Sequence, residues 1–146
     1  MQELDVIKVL KTTLKFSDES IEKLRKYVEL LKEENKKHNL ISKSTENFIW
    51  NRHILDSAQI VKFIDFNLQT LADLGTGAGF PGLVIEIFNK NKLFHVKLYE
   101  KSPVKKEFLK DISNKLSIKV KIYGNVYDDF IDTDYIVCRA FKKLEA

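Results

Sequence analysis

One cysteine, two prolines, five glycines and one tryptophan stand among 146 residues, and each scarcity excludes something. A lone thiol, Cys138, can neither close a disulfide framework nor supply a multi-thiolate metal site. It points to a reducing, cytoplasmic compartment. No apolar run approaches the roughly 18 residues that a membrane span needs. The first fifteen residues interleave Glu3, Asp5 and Lys8 with apolar positions and lack the build of a signal peptide. Arginine is scarcest of the charged types: of 25 basic residues only Arg25, Arg52 and Arg139 are Arg, although phosphate forks and base-edge readers favour it. What is abundant is ordinary. Apolar content of 44% with 32% charge and 11% aromatics fits one globular domain with a real core, not a disordered chain. A net charge of +4 suits a lysine-decorated surface as well as it suits contact with nucleic acid.

The few breakers are concentrated. Gly75, Gly77, Gly79, Gly82 and Pro81 fall within eight residues. Before them the pattern is helical. Leu4, Ile7, Leu10 and Leu14 mark a first amphipathic segment. Ser17 predicts the N-cap of a second, with Ile21, Leu24, Val28 and Leu31 on one stripe. After a polar break over 36–44, Thr45 reads as the cap of a third helix carrying Phe48, Ile49, Ile54, Leu55, Ala58 and Val61. From Leu71 the period changes. Leu71–Leu74 is a short apolar run, and a helix is expected to open at Pro81, a good first-turn residue. Phe94, Val96 and Leu98 alternate as a strand that ends at Glu100, and Pro103 starts another helix. Ile118, Val120 and Ile122 alternate again, and Tyr135–Cys138 is a fourth apolar run with Cys138 in its core. Strands alternating with helices predict an α/β fold with a doubly wound, mainly parallel, Rossmann-like sheet. Residues 1–68 form an N-terminal helical extension, and 69–146 the sheet-bearing core packed with it as one domain.

The chemistry concentrates in Asp73-Leu74-Gly75-Thr76-Gly77-Ala78-Gly79-Phe80-Pro81-Gly82, between a strand and a helix. Glycines there let backbone approach a ligand, and the helix start offers free N–H groups. Glu100, at the end of the next strand, can accept both hydroxyls of an adenosine ribose. A dinucleotide site favours Gly-x-Gly-x-x-Gly beneath a pyrophosphate. This loop is Gly-x-Gly-x-Gly with Asp73 two residues ahead, which is awkward beside a pyrophosphate. An acid there suits a positively charged ligand such as S-adenosyl-L-methionine.

Several separated stretches resemble one family. They are His38-Asn39-Leu40, Arg52-His53-Ile54-Leu55-Asp56-Ser57, the Asp73–Gly82 loop and Arg139-Ala140-Phe141. The chain is similar over about residues 17–141 to the bacterial small-subunit ribosomal RNA guanine-N7 methyltransferases, also called glucose-inhibited division protein B. The Arg-His-Ile-Leu-Asp-Ser stretch is the specific part. The resemblance implies a class I S-adenosylmethionine-dependent methyltransferase with an N-terminal helical extension. Its substrate would be 16S ribosomal RNA, free or within the 30S ribosomal subunit, with no metal and no membrane partner. It also implies a site. Gly75, Gly77, Gly79 and Phe80 would cradle the methionine part of the donor, and Asp73 would face its positive charge. Glu100 would hold the ribose, while Asn125, Val126 and Tyr127 would flank the adenine. Arg139 would lie near donor and substrate as the catalytic residue. The chain departs from many relatives at Ala78, Asn125 and Tyr127. His53 and Asp56, one helical turn apart, share a face, and a structural role for the pair is favoured over a catalytic one.

Guanine nitrogen 7 has a lone pair and no proton at neutral pH, so its methylation needs no general base. Accordingly no Asn/Asp-Pro-Pro-Tyr/Phe motif follows the fourth strand, and no cysteine pair is present. Arg139 is expected to contact guanine O6, a phosphate or the donor's carboxylate, leaving the reacting nitrogen free. Four strands are found where such folds carry seven. In the usual order 3-2-1-4-5-7-6 the fourth would be an apolar open edge. The chain is expected to be a monomer unless that edge pairs. Two other readings stay open: a non-catalytic donor- or RNA-binding remnant, and a nicotinamide-dependent oxidoreductase.

Overall fold

The computed structural model describes residues 2–124 and 132–139. Four strands form one parallel sheet in the order β3-β2-β1-β4: β1 Thr70–Leu74, β2 His95–Tyr99, β3 Lys121–Tyr123 and β4 Tyr135–Val137. Leu71 pairs with Val96 on one side and Tyr135 on the other, so β1 is central and the strand order reverses there. This is the Rossmann-like α/β arrangement that the alternating pattern predicts. Asp134 fixes the register at the start of β4. Its Oδ2 accepts from Gln69 N at 2.9 Å and Thr70 N at 3.0 Å.

The local signals act as expected where they are strong. Ser17 caps α2 (Asp18–Asn35), its Oγ accepting from Ser20 N at 3.1 Å. Ser102 caps α6 (Pro103–Lys115), with Pro103 in the first turn. Helix α1 spans Glu3–Thr12 and α5 Gly82–Phe88. Leu10, Leu24, Tyr27, Leu31, Ile54, Leu71, Leu83, Ile85 and Leu98 are fully buried in a single apolar cluster that runs from the first helices into the sheet. Helix α5 packs on β2 and touches α2, which also touches α6. Asn35, at the end of α2, accepts from Leu40 N and Ile41 N through Oδ1 at 2.8 and 3.1 Å, shaping the turn that follows.

Four expectations need correction. The third helix is not continuous. A short α3 (Lys43–Glu46), capped by Ser42 and not Thr45, is followed by a π-helical stretch Trp50–Leu55, a turn of α-helix α4 (Asp56–Ala58) and a 3₁₀ stretch Gln59–Phe63. The buried positions Ile49, Ile54, Ala58 and Val61 step by five, four and three residues, following the widths of π, α and 3₁₀ turns. Pro81 is the N-cap of α5 and not its first helical residue. The third strand is shorter than Ile118–Ile122, beginning only at Lys121. Cys138 lies just past β4 and is exposed, not in the core. Strand β4 pairs only with β1 among the described residues, and its Ile136 is 59% exposed, as an open apolar edge requires.

Candidate functional site

The loop after β1 is held from three sides. Gly75 N and Thr76 N both donate to the Tyr99 carbonyl, at 2.9 and 3.1 Å, fastening it to the end of β2. The Thr76 carbonyl accepts from Gly79 N and Phe80 N at 2.9 and 3.0 Å. Thr76 Oγ1 donates to Asp73 Oδ2 at 2.6 Å, and Gly82 N donates to the same oxygen at 2.8 Å. One carboxylate oxygen thus ties the end of β1 to the start of α5. Thr76 was given no role by sequence reasoning. A hydroxyl three residues after a buried acid was the available signal.

Asp73 is fully buried, and its other oxygen, Oδ1, has no hydrogen-bond partner among the described residues. Burial pushes the carboxyl up to about 7 and the nearby Glu100 charge adds to the rise. The bonds from Thr76 and Gly82 and the field of Arg139 pull it down. A buried acceptor without a donor is costly, so this atom suits a ligand that brings a donor and positive charge. Glu100 is also buried. Its Oε1 accepts from Gly77 N at 2.9 Å and its Oε2 from Ser102 N at 2.8 Å. Each oxygen keeps a lone pair for a further donor.

The glycines differ in what they do. Gly79 has φ +107°, and a Cβ there would lie 2.5 Å from both Tyr27 Oη and Leu83 Cδ1. Gly77 has φ +59°, and a Cβ there would meet nothing within 4 Å. A Cβ on Gly82 would collide with Leu98. Gly79 and Gly82 are therefore demanded by packing inside the protein, whereas Gly77 leaves space beside the Glu100 carboxylate.

Phe80 points its ring inward and not towards the loop's surroundings. It is stacked between Tyr27, with centroids 5.2 Å apart, and His53, at 4.9 Å. The Tyr27 hydroxyl, kept protonated because burial holds it well above its ordinary value, donates to the Ala78 carbonyl at 2.5 Å. The helical segment thereby grips the glycine loop at two residues, Ala78 and Phe80. Sequence reasoning placed Tyr27 nowhere, since a tyrosine on an apolar helix stripe reads as core.

Arg139 reaches back 86 positions to donate through Nη1 to His53 Nδ1 at 2.8 Å, with Nη2 at 3.5 Å from the Arg52 carbonyl. Its guanidinium carbon lies 5.7 Å from the Phe80 ring centroid. His53 Nε2 lies 3.0 Å from Thr45 Oγ1. Asp56, the predicted companion of His53, is exposed while His53 is buried. The wide π turn between them removes the shared face that an α-helix would give. The structure therefore brings Asp73, Gly75, Gly77, Gly79 and Glu100 together, and places Phe80 and Arg139 against His53 of the helical segment. Asn125, Val126 and Tyr127 lie outside the described residues. Among the described residues no group of three or more His, Cys, Asp or Glu could hold a metal ion, and no helix is long and apolar enough to cross a membrane.

The GidB family model, described as rRNA small subunit methyltransferase G, matches residues 20–146. A ribosomal RNA small subunit methyltransferase G of Pelagibacter ubique (strain HTCC1062) is 42% identical over 124 residues, covering 81% of this chain and 58% of that protein. Its counterpart in Rickettsia akari (strain Hartford) is 39% identical over 132 residues, covering 90% and 68%. The chain thus spans 58–68% of the length of these relatives. Among solved structures, a protein-L-isoaspartate O-methyltransferase aligns with TM-score 0.47 and 22% identity, over 57% of this chain and 28% of that one.

Proposed function

The chain belongs to the rRNA small subunit methyltransferase G family, and from that premise we propose that it binds S-adenosyl-L-methionine at the Gly75–Gly79 loop and methylates nitrogen 7 of a guanine in 16S ribosomal RNA. The compartment is the cytoplasm, and the substrate is the free RNA or the 30S subunit. The observation that carries the reading is the buried Asp73 Oδ1, without a partner among the described residues, at the root of a glycine loop and within electrostatic reach of Glu100 and Arg139.

When bound, the donor supplies an electrophilic sulfonium methyl group. Asp73 Oδ1 accepts from the donor's ammonium group, which supplies the missing hydrogen bond. Glu100, pre-set by the Gly77 and Ser102 amides, accepts from the ribose hydroxyls. Gly77 leaves room for the ligand to lie against the backbone. Asn125, Val126 and Tyr127 are assigned to the adenine by the family resemblance. Arg139 holds a negative group, either the donor carboxylate or an RNA phosphate, or it donates to guanine O6. Because nitrogen 7 carries a lone pair and no proton, these residues act by positioning and by excluding water, which can supply several orders of magnitude in rate. Residues 1–68 serve as a cover that fixes the loop through Tyr27 and Phe80.

Calorimetric titration with S-adenosylmethionine, with NAD as control, tests the site. Saturable binding of the methyl donor that is lost in Gly77→Leu is expected. Binding of NAD alone would overturn the reading in favour of an oxidoreductase. Methyl transfer to 30S subunits then tests the activity. Donor binding with no transfer would leave a donor- or RNA-binding remnant, and folded chain without donor binding would remove the pocket itself.

A further inference from the structure

Arg139 is held by an unusual partner. Guanidinium groups carry five N–H donors and accept nothing, and inside proteins they commonly pair with carboxylates. Among the described residues no carboxylate forms an ion pair with Arg139. Its short contact is the 2.8 Å bond to His53 Nδ1. Because arginine can only donate, Nδ1 must present its lone pair, and the ring proton must sit on Nε2. The surroundings agree. Nε2 lies 3.0 Å from Thr45 Oγ1, whose own proton can go to Ser42, either to its carbonyl at 3.1 Å or to its Oγ at 3.0 Å. The bonds therefore run in one direction, from Arg139 through His53 and Thr45 to Ser42. Phe80 stacks on the imidazole and bars it from turning.

We propose that His53 is a positioning residue: a neutral hydrogen-bond acceptor, oriented by Thr45 and Phe80, that fixes Arg139 beside the glycine loop while leaving its positive charge uncompensated for an anionic ligand. A carboxylate in the same place would aim the guanidinium equally well but neutralise it. The inference rests on the role given to Arg139 above. The environment keeps His53 in the accepting form. Burial, and then the Arg139 charge, push its pKa from 6.5 down to about 4. Among the described residues the charged group bonded to it is Arg139, and its other side-chain bond is to the uncharged hydroxyl of Thr45. Asp56 is exposed and makes no bond to it.

Two measurements test this on the whole chain. The first is the two-bond proton–nitrogen NMR spectrum of the histidines, of which there are three, with His53 assigned from His53→Phe. The Nε2–H form is expected at pH 7, with protonation at about 4. In Arg139→Ala the protonation midpoint should rise yet stay below 6.5, because burial is the larger cause. An Nδ1–H form in the wild type would overturn the inference, since arginine cannot donate to a protonated nitrogen. The second is a double-mutant cycle of His53→Phe and Arg139→Ala. It is read in affinity for S-adenosylmethionine, in affinity for small-subunit rRNA, and in methyl transfer. His53→Phe keeps the stacked ring and should weaken whichever quantity Arg139 serves by about tenfold, the scale of one hydrogen bond to a charged group. It should add nothing in the Arg139→Ala background. His53→Asn, which can still offer an oxygen near the Nδ1 position, should recover part of the loss. Equal effects with and without Arg139 would overturn the positioning role while leaving the role of Arg139 intact. If Arg139→Ala alone changes none of the three, the role given to Arg139 falls first and the inference falls with it.

Discussion

On the proposed reading Asp73 is expected to make donor binding depend on pH, and its surroundings set the size of the effect. Burial lifts the carboxyl from 3.8 up to about 7, so the ligand-free protein is about half ionised at neutrality. A cationic head group favours the carboxylate and lowers that value. Binding must then expel the proton that Asp73 carries, and affinity falls as pH drops below 7. With a bound-state value under about 5, the ionised fraction of the free protein governs the affinity. That fraction is about 0.5 at pH 7 and about 0.03 at pH 5.5, a loss of about fifteenfold, or about 1.6 kcal/mol. This window lies below the range of roughly 7.7–8.0 where an α-amino group titrates, so the donor's own amino group does not supply the signal. Calorimetry at pH 6 in two buffers of different ionisation enthalpy should count about 0.9 proton released per donor bound. Asp73→Asn should bind more weakly at pH 7 and lose the slope. The stability of the ligand-free fold moves in the opposite direction. Its folded pKa lies above the unfolded value, so the folded state holds the extra proton between about pH 4 and 7, and stability falls as pH rises through that window. The ceiling is about 4 kcal/mol for a shift of about three units. Wild-type affinity that stays flat from pH 7 to 5.5, with no proton released at pH 6, would refute the assignment of Asp73 to a cationic ligand.

Four further outcomes follow from the structure. Gly79→Ala should cost about 3 kcal/mol or more in urea unfolding, from its positive φ together with the collision at Tyr27 and Leu83. Gly77→Ala should cost only about 1 kcal/mol yet weaken donor binding measurably, because its Cβ would occupy open space and not protein. Tyr27→Phe strands the Ala78 carbonyl and should lower stability by about 1–3 kcal/mol, with a matching loss of donor affinity if the loop depends on that grip. Glu86 is pushed up to about 7 by burial, against the Asn89 bond and Lys23. Glu86→Gln should raise the melting temperature at pH 8 and give no gain at pH 4.5, where both side chains are neutral.

The parts of the fold that were legible are those whose cause is local. Ser17 and Ser102 cap their helices through bonds to residues three positions on, and a cap needs nothing from the rest of the chain. The alternation of Phe94, Val96 and Leu98 marks β2 because one face of it is buried wherever the strand packs. The segment from Ser42 to Phe63 failed as a single helix because its buried spacing of five, four and three follows a changing turn width. An i, i+4 template sees that as an imperfect helix. Cys138 was misplaced for a related reason. A four-residue apolar run reads as a buried strand only when both faces are covered, and here Ile136 and Cys138 fall on the side that nothing among the described residues covers.

The site divides in the same way. Asp73, the glycines and Glu100 could be placed from sequence because a strand, a loop and the end of the adjacent strand must meet in a parallel sheet, and the 2.9 Å bond from Gly77 N to Glu100 Oε1 is that meeting. The bond between His53 and Arg139 could not, for two reasons. The residues are 86 positions apart, and no local rule joins a π turn to the end of a fourth strand. Charge pairing also misleads here. The usual partner of an arginine is Asp or Glu, and the acid one turn from His53 in sequence is Asp56, which is exposed in the fold. An acceptor that carries no charge leaves no trace in a charge pattern, yet it is the only kind that can hold Arg139 in place without spending the charge an RNA phosphate or a donor carboxylate would need. The scarcity of arginine was the better clue. In a chain that uses lysine almost everywhere, a guanidinium retained at position 139 marks a place where fixed direction matters more than charge alone.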